Sequence, residues 1–328
     1  MLFRHLARLF MQARRNDGWS DAVSQVVAAG RALLFYREHR ELFGLEVIRK
    51  YCAPGDMLFH MRHRHFLSSR LSWSQRIDCA LTHYRCEGQQ HVGAYKDAVY
   101  RNAGLTLWSR TVDANSYALV LRATTDLRHE GGISVVLLAG DVCVSEMSYA
   151  WVNSSIFGMP ENIVPFITRN QSLRCDASPL QQFRRDFPQN SPSYFCLAAV
   201  HGVAAAHGKS QIVGIKDDCQ IAFDVRHAGG FRSSYNDFWH SFGGVELDGQ
   251  AYLMALPLVT PSLAEVKANH RQRAIARRRH WSEITEGAAT IMSRYVRDVE
   301  ARLTKGQAKV LAMIAPHVST LMSLVVAV

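Results

Sequence analysis

The sequence lacks the cysteine pattern of a disulfide-bonded or zinc-binding protein. It has seven cysteines, an odd number, and no two of them stand at Cys-x-x-Cys spacing. This argues against a disulfide framework and against a zinc ribbon, and it favours a reducing compartment. Proline is scarce, with 9 residues in 328, and the 21 glycines follow no repeat, which excludes a fibrous protein.

Familiar catalytic motifs are absent as well. No Gly-x-Gly-x-x-Gly, Walker loop or Gly-x-Ser-x-Gly occurs, which disfavours dinucleotide-binding proteins, P-loop enzymes and serine hydrolases. His201 and His207 are six residues apart and have no third ligand at metal-binding spacing. The adjacent carboxylates of Asp217 and Asp218 are weak evidence for acid–base chemistry on their own. We therefore predict no metal site and no resident cofactor, and we assign no catalytic residue.

Charge is plentiful and unevenly distributed along the chain. Lys and Arg number 38 against 28 Asp and Glu, a formal net charge of +10. Residues 1–110 carry 17 basic and 9 acidic side chains, residues 111–261 carry 10 and 14, and residues 262–306 carry 10 and 5. An acidic middle between two basic regions favours an anionic partner on one side of the molecule. An ordinary solvated basic surface is the alternative.

Two terminal segments are candidates for contact with a membrane. On a helix, residues 1–15 place leucines and phenylalanines on one face and arginines on the opposite face. Such a segment suits the surface of an anionic membrane, and a helix docked on the core is the alternative. Residues 310–328 contain no charged side chain and reach the lower length limit of a membrane span. Pro316 and His317 favour a packed or interfacial helix over a tail anchor.

Hydrophobic periodicity predicts an α+β protein. Residues 1–110 have a mostly helical pattern, with helices over Ser20–Tyr51 and Ser72–Glu87. An antiparallel meander follows, and then helices alternate with further strands. The predicted strands are Tyr117–Arg122, Ile133–Ala139, Asp141–Val152, Ile163–Thr168, Gln211–Ile215 and Ala251–Leu256, and the helices between them are Pro179–Phe187 and Tyr194–His207. The expected fold is a helical N-terminal region plus a mixed, mostly antiparallel sheet flanked by helices.

The predicted elements divide the chain into three parts. Residues 1–70 form a helical N-terminal region, residues 71–305 an α+β domain, and residues 306–328 a hydrophobic tail. The strand–strand–strand–helix–strand order from 117 to 215 resembles that of GNAT-type acyltransferases, a likeness of fold that carries no function by itself. The phosphate-binding glycine loop that those enzymes place between strand and helix is absent from Asn170–Ser178.

A long helix predicted to follow Pro261 carries a dense group of cations. Ser262 and Glu265 have the spacing of a capping box at its start. The arginines of this group are Arg271, Arg273, Arg277, Arg278 and Arg279, with no acidic residue between Lys267 and Ser282. Cations one turn apart on a helix repel each other, so a phosphate or carboxylate partner has to offset them. We predict an anion-binding surface here, with pairing to the acidic middle region as the alternative.

The densest aromatic cluster lies just ahead of two adjacent glycines. Its rings have the spacing of one helical face and belong to Tyr235, Phe238, Trp239 and Phe242. An aromatic face that packs on the sheet is the simpler interpretation, and a pocket wall near the arginine helix is the functional one. We take Tyr235 and Trp239, together with Glu130 in the turn before a β-prone segment, as candidate pocket residues.

Several of these elements occur in a distinctive order between about residues 70 and 285. Glu130-Gly131 opens a hydrophobic hairpin, and a helix ending Ala-x-x-Gly precedes a short strand. The aromatic cluster with its two glycines, Leu256-Pro257 and the arginine helix then follow. This order resembles that of the VirK/YbjX family of Gram-negative bacteria. Gln189-Asn190-Ser191-Pro192 departs from the Gly-Leu-Arg-Pro of other members, and Ala276 and His280 replace expected aromatic residues, which indicates a divergent member.

The resemblance implies a role in the bacterial cell envelope. Members are linked to virulence, to the surface localisation of an outer-membrane protein and to resistance to cationic antimicrobial peptides, and no reaction is established for the family. The first hypothesis is a cytoplasmic protein, peripheral to the inner membrane, that acts at an anionic membrane surface or on an envelope component.

The second hypothesis is a GNAT-like, acyl-CoA-dependent acyltransferase. The arginine helix would hold the phosphates of coenzyme A, and Tyr235 or Glu130 would take part in proton transfer. A nucleic-acid partner is not expected, because the aromatic residues are not interleaved with the arginines.

Overall fold

The described part of the chain runs from residue 19 to residue 297 in a computed structural model. Within it, residues 53–57, 125–129, 173–176, 261, 263, 265 and 266 are not described. The two segments considered for membrane contact, residues 1–15 and 310–328, lie outside the described residues. The six cysteines of the described part are all free, in agreement with their spacing.

The N-terminal region is helical, as its hydrophobic spacing predicts. Its helices are α1 (Trp19–Leu34), α2 (Tyr36–Gly44), α3 (Glu46–Tyr51) and α4 (Phe59–Arg62). Helix α1 turns the small residues Ala28 and Ala32 towards the core, and both are fully buried. Its larger apolar residues face outwards, so that Val23 is 57% and Leu34 is 79% exposed. Helix α1 therefore presents an apolar face to solvent.

Helices α5 (Trp73–Gln90) and α6 (Gly93–Tyr100) connect this region to the sheet. Helix α5 begins at a capping box in which Ser72 Oγ accepts from the amide of Gln75 and Gln75 Oε1 accepts from the amide of Ser72. Helices α2, α3 and α4 pack on α5, and α5 packs on the fourth strand of the sheet. The helix predicted over Ser72–Glu87 is confirmed and continues three residues further.

Eight strands of the described chain form a single sheet in the order β1-β2-β3-β4-β5-β6-β8-β7. They are β1 (Leu105–Val112), β2 (Asn115–Ala123), β3 (Ile133–Ala139), β4 (Val142–Asn153), β5 (Ile163–Ser172), β6 (Gln211–Ile215), β7 (Val245–Leu247) and β8 (Ala251–Ala255). All six predicted strands are present, whereas the two edge strands β1 and β7 were not predicted. Neighbouring strands are antiparallel except β5 and β6, which are parallel.

Helices cover both faces of the central strands. The remaining helices are α7 (Ala177–Asp186), α8 (Pro192–Ala206), α9 (Ala228–Ser234), α10 (Asn236–His240) and α11 (Ala268–Ser293). Helix α5 packs on β4, and α8 packs on β3, β4 and β5. The six successive residues 147–152 of β4 are all buried, as expected for a strand covered on both faces. The predicted α+β class, with a mixed and mostly antiparallel sheet, is confirmed.

The arginine helix is α11, and it begins later than predicted. Its N-cap is Lys267, whose side chain makes no capping hydrogen bond, so α11 does not begin at Ser262, and Glu265 of the predicted capping box lies outside the described residues. Pro257, Leu258 and Thr260, which precede the helix, line a cleft against α8. The 26 residues of α11 give a length of about 39 Å. No helix among the described residues meets the length and hydropathy that crossing a membrane requires.

Candidate functional site

The parallel strands β5 and β6 separate soon after they meet. Only Phe166 with Val213 and Ile167 with Gly214 are paired across them. Strand β5 continues for five more residues, Thr168–Ser172, which have no partner on β6. Arg169–Ser172 pair with β4 on their other side, and Thr168 lies at an irregularity of that pairing. We call this place, between the last five residues of β5 and the chain that follows β6, the strand split.

A buried ionic network lies at the strand split. Arg169 of β5 donates from Nη1 to Glu130 Oε2 at 2.9 Å, and Gln220 Nε2 donates to Glu130 Oε1 at 2.6 Å. Thr168 Oγ1 donates to the backbone carbonyl of Glu130. Glu130 and Arg169 are 3% and 4% exposed. Burial raises the pKa of Glu130, while the charge of Arg169 and the hydrogen bond from Gln220 act in the opposite direction.

Tyr235 also reaches the strand split. It lies between α9 and α10, and its hydroxyl oxygen accepts from the backbone N–H of Asn170 at 3.3 Å. The side-chain amide of Asn170 donates to the carbonyl of Ser234 at 2.8 Å. Burial raises the pKa of Tyr235, so the phenol stays protonated at neutral pH. The structure therefore brings two of the three predicted pocket residues, Glu130 and Tyr235, to the same place.

Two polar atoms of the strand split have no hydrogen-bond partner among the described residues. They are Arg169 Nε and Asn170 Oδ1, which belong to side chains that are almost fully buried. A buried polar group without a partner costs about 1–3 kcal/mol. These two atoms are thus a donor and an acceptor that a bound polar group would satisfy.

Trp239, the third predicted pocket residue, lies behind Tyr235 rather than in the network. Its indole N–H donates to the carbonyl of Ile215 at 2.7 Å, and its ring covers Gly214. A Cβ atom at Gly214 would lie 2.5 Å from that ring, so the close contact requires glycine. Trp239 therefore fixes α10 against the last residues of β6 and holds Tyr235 in position.

The five predicted anion-binding arginines lie on the first half of α11. Arg271, Arg273 and Arg279 are exposed, and Arg277 and Arg278 are half-buried. Arg277 packs over the ring of Trp281, 5.2 Å from its centroid. Among the described residues, no carboxylate lies within 4 Å of the guanidinium of Arg273, Arg277 or Arg279. The described residues of the acidic middle region therefore form no ion pair with these three.

Helix α11 runs parallel to α8 and extends past the beginning of that helix. Trp281 contacts Tyr194 at 5.0 Å between ring centroids, and Thr285 Oγ1 donates to the carbonyl of Ala198 at 3.0 Å. The two helices thus run in the same direction, and residues 268–279 extend past the N-terminal end of α8. Tyr194 also stacks on Phe238 of α10 at 5.5 Å. Aromatic contacts therefore connect the strand split to the arginines.

A cleft of about 410 Å³ opens beside these aromatic contacts. It lies between α8, α11 and the stretch that follows β8. Its lining residues are Tyr194, Leu197, Ala198, His201, Phe242, Pro257, Leu258, Thr260, Arg278, Trp281, Ser282, Thr285 and Glu286. Arg278 is the one predicted anion-binding residue on this lining. The described residues contain no group of three or more side chains that could hold a metal ion.

The family comparison agrees with the order of these elements. The family model described as protein of unknown function DUF535 matches residues 25–287, which include most of the helices and the whole sheet. The chain belongs to this family. It is the family named VirK/YbjX, so the resemblance seen in the sequence is confirmed. A search of the curated proteins and a search of the solved structures each gave no match.

Two departures from the VirK/YbjX pattern have a structural role. Gln189, at the place of the usual glycine, adopts a positive φ of 66°, a backbone conformation that glycine adopts most easily. The next residue, Asn190, accepts through Oδ1 from the indole N–H of Trp281 at 3.1 Å. The divergent segment thus holds α11 against the beginning of α8.

Sequence reasoning did not identify Arg169, Asn170 and Gln220 as parts of the site. The signal available was the polar pair Arg169-Asn170 directly after the apolar segment Ile163–Thr168. A charged residue that continues a buried strand calls for a buried partner. Gln220, one of the partners of Glu130, is 90 residues away along the chain, and no local pattern connects the two.

Proposed function

We propose that this VirK/YbjX-type protein transfers an acyl group from a thioester donor such as acyl-CoA. The observation that supports the proposal best is the strand split, where two parallel strands joined by two residue pairs separate. The order β3, β4, β5, α8 and β6, with α7 inserted before α8, resembles the strand–strand–strand–helix–strand order of GNAT-type acyltransferases, in which a thioester lies between splayed strands. Fold likeness alone is weak evidence, and the side chains at the split carry the rest of the argument.

The strand split offers the groups that thioester chemistry needs. The N–H of Asn170 points into the split, where a thioester carbonyl would accept from it in place of the Tyr235 hydroxyl. Tyr235 keeps its proton at neutral pH and can donate it as a hydrogen bond to the departing sulfur. The acceptor's oxygen or nitrogen attacks the carbonyl carbon, the C–S bond breaks, and the acceptor's proton ends on the released thiol.

The first half of α11 supplies the positive charge for the phosphates of the donor. Coenzyme A is polyanionic, and arginine binds phosphate through two parallel hydrogen bonds. Arg273, Arg277 and Arg279 have no described carboxylate within 4 Å, so their charge is available to a ligand. This arrangement replaces the glycine-rich phosphate loop that the sequence lacks.

Titration calorimetry of the full chain with dodecanoyl-CoA tests the proposal. We expect saturable binding that weakens with salt, and slow hydrolysis of the thioester with water as acceptor. Tyr235→Phe should retain binding and lower the hydrolysis rate by about a hundredfold. Tyr149→Phe is the matched control, because that buried hydroxyl has no hydrogen-bond partner among the described residues. Absence of binding, or equal rates for the two variants, would refute the proposal.

A second function, binding to an anionic membrane surface, is favoured by different surfaces of the molecule. Arg271, Arg273 and Arg279 are exposed on α11, and α1 exposes Val23 and Leu34. A basic surface is attracted to anionic lipid, and exposed apolar side chains add hydrophobic affinity. Both features agree with the envelope role that the family resemblance implies.

Co-sedimentation with vesicles tests this second function. We expect binding to vesicles that contain phosphatidylglycerol, weaker binding at high salt, and little binding to phosphatidylcholine. The triple variant Arg271→Gln, Arg273→Gln, Arg279→Gln should lose most of it. A control with equal charge loss on α2 and α3 is Arg37→Gln, Arg40→Gln, Arg49→Gln, all exposed. Equal losses in the two triple variants would mean that net charge alone drives the binding, and this would count against a membrane-binding surface on α11.

A further inference from the structure

The cleft between α8 and α11 has the form of a trough rather than a closed pocket. Its floor is apolar and comes from Leu197 and Ala198 of α8, Trp281 of α11, and Phe242 and Leu258. Leu197 and Phe242 are at most 3% exposed, which means that the floor belongs to the core. Its volume of about 410 Å³ is in the range of small-molecule sites.

The two ends of the trough differ in charge. Arg278, Ser282 and Glu286 follow one another at four-residue spacing along α11, so they form a row about 12 Å long. Arg278 stands at the end next to the exposed arginines, and Arg277 beside it packs on Trp281. Glu286 stands at the other end, where it accepts through Oε1 from the hydroxyl of Ser282 in the middle of the row at 2.7 Å, and burial lowers the pKa of His201 on α8. The positive potential is therefore concentrated at one end.

This combination identifies the kind of ligand. An elongated apolar floor favours an unbranched hydrocarbon, and each buried methylene strengthens binding by about fourfold. The cationic end favours a carboxylate or phosphate head. A flat aromatic ligand would not use the length of the trough, and a neutral one would not use Arg278.

We propose that the trough binds an amphiphile with a medium-length acyl chain, its anionic head at Arg278 and its chain along Leu197, Leu258 and Trp281. The inference rests on the proposed acyl transfer for its biological meaning, because it assigns the trough to a lipid-like substrate of that reaction. The binding itself requires no thioester and can be measured separately.

Quenching of tryptophan fluorescence by 12-bromododecanoate, below its micelle concentration, tests the inference on the full chain. Trp281 lines the trough, so a bound brominated chain should quench it in a saturable way. The quenching should disappear in Trp281→Phe. Ser282→Phe, which fills the trough from an exposed position, should abolish binding. Quenching that is not saturable, or that persists in Trp281→Phe, would overturn the inference.

The position of the head group is tested with a neutral analogue. Arg278→Gln should weaken the binding of 12-bromododecanoate about tenfold and leave that of 12-bromododecanol unchanged. Arg294→Gln, an exposed arginine at the other end of α11, is the matched control and should change neither. Equal effects of the two arginine variants would overturn the head-group assignment.

The two experiments distinguish an error in the trough assignment from an error in the proposed acyl transfer. If 12-bromododecanoate binds and dodecanoyl-CoA does not, the trough is retained and acyl transfer is refuted. If dodecanoyl-CoA binds and is hydrolysed while 12-bromododecanoate causes no quenching, the trough assignment is refuted and acyl transfer is retained.

Discussion

His91 and His207 face each other through their Nε2 atoms at 2.9 Å, although 116 residues separate them in the chain. His207 Nδ1 lies 2.7 Å from the carbonyl of Val203 and must donate to it, which leaves its Nε2 as the acceptor. His91 therefore donates through Nε2. The pair joins the C-cap of α5 to the C-cap of α8, and it requires a neutral His207, because protonation of His207 Nε2 removes the acceptor.

Acid should weaken the fold through this histidine pair. Burial lowers the pKa of His207 to about 4 and lowers that of His91 as well. The unfolded chain binds protons on these rings below about pH 6.5, while the folded protein does not, so folding loses free energy as pH falls from 6.5 towards 4. For His207 alone the loss approaches about 3 kcal/mol. Urea unfolding at pH 7.5 and at pH 4.5 measures it.

The change His207→Gln isolates this contribution. We expect the variant to be less stable than the parent at pH 7.5 and to lose less stability on acidification, because it has no imidazole at that position to protonate. His227→Gln, at an exposed position, should follow the pH profile of the parent. Parallel profiles for the parent and His207→Gln would contradict the assignment.

Removing only one partner of the buried pair Glu130 and Arg169 should strongly lower the free energy of unfolding. Arg169→Met leaves the Glu130 carboxylate in the core without its cation, and the expected loss is about 3–5 kcal/mol of unfolding free energy. Adding Glu130→Gln to Arg169→Met removes the unpaired charge and should restore part of the loss. Denaturant unfolding of the single and double variants measures both effects.

The exposed ion pair between Asp224 and Arg226 provides the comparison. Arg226 is 81% exposed, so Arg226→Met should lower the free energy of unfolding far less than Arg169→Met does. A similar cost for Arg169→Met and Arg226→Met would mean that water reaches Glu130.

The contact between α8 and α11 depends on a glycine. A Cβ at Gly202 would lie 2.4 Å from the carbonyl oxygen of Thr285 and 2.7 Å from Ala288 Cβ. Gly202→Ala should therefore push the helices apart and cost about 1–3 kcal/mol. Gly30→Ala on α1 has open space around its Cβ and should stabilise the protein by about 0.5–1 kcal/mol. Thermal unfolding of both variants checks the opposite signs.

Local sequence patterns predicted the central part of the fold well and its edges poorly. Strands β3 and β6 have the predicted bounds, because Ile133–Ala139 and Gln211–Ile215 are continuous apolar segments of β-prone residues. Strand β1 was missed, since Leu105–Val112 alternates apolar residues with threonine and arginine after a long helical region. The three residues of β7 give no periodic signal at all.

The candidate site was predicted as separate residues but not as a constellation. Glu130 and Tyr235 were singled out by a turn and by an aromatic face, and both patterns are local. Their meeting depends on β5, whose residues Arg169 and Asn170 contact Glu130 and Tyr235 across 39 and 65 residues of chain. Contacts of that range follow from the order of the strands, which the periodicity of one sequence does not specify.

Glu87 is a buried carboxyl group whose contribution to stability changes with pH in the opposite direction to that of the histidine pair. It is fully buried, accepts from the indole N–H of Trp151 at 3.0 Å and accepts from the hydroxyl of Tyr100 at 3.1 Å. Its Oε1 lies 3.8 Å from His91 Nδ1, and Lys96 donates to the nearby carbonyl of Gly88. Burial raises the pKa of Glu87 to about 7, and the two hydrogen bonds only partly offset this.

The effect of Glu87→Gln on the free energy of unfolding should therefore become more stabilising as pH rises. Between pH 4.5 and 7 the folded protein keeps a proton on Glu87 that the unfolded chain has released, so this group makes the parent less stable as pH increases. The whole effect is about 3 kcal/mol, and Gln lacks it. We expect the unfolding free energy of Glu87→Gln relative to the parent to increase by about 2.5 kcal/mol between pH 5 and pH 8 in urea titrations, because part of the whole effect is already present at pH 5. A constant difference between the two proteins would mean that Glu87 is ionised throughout, paired with a protonated His91.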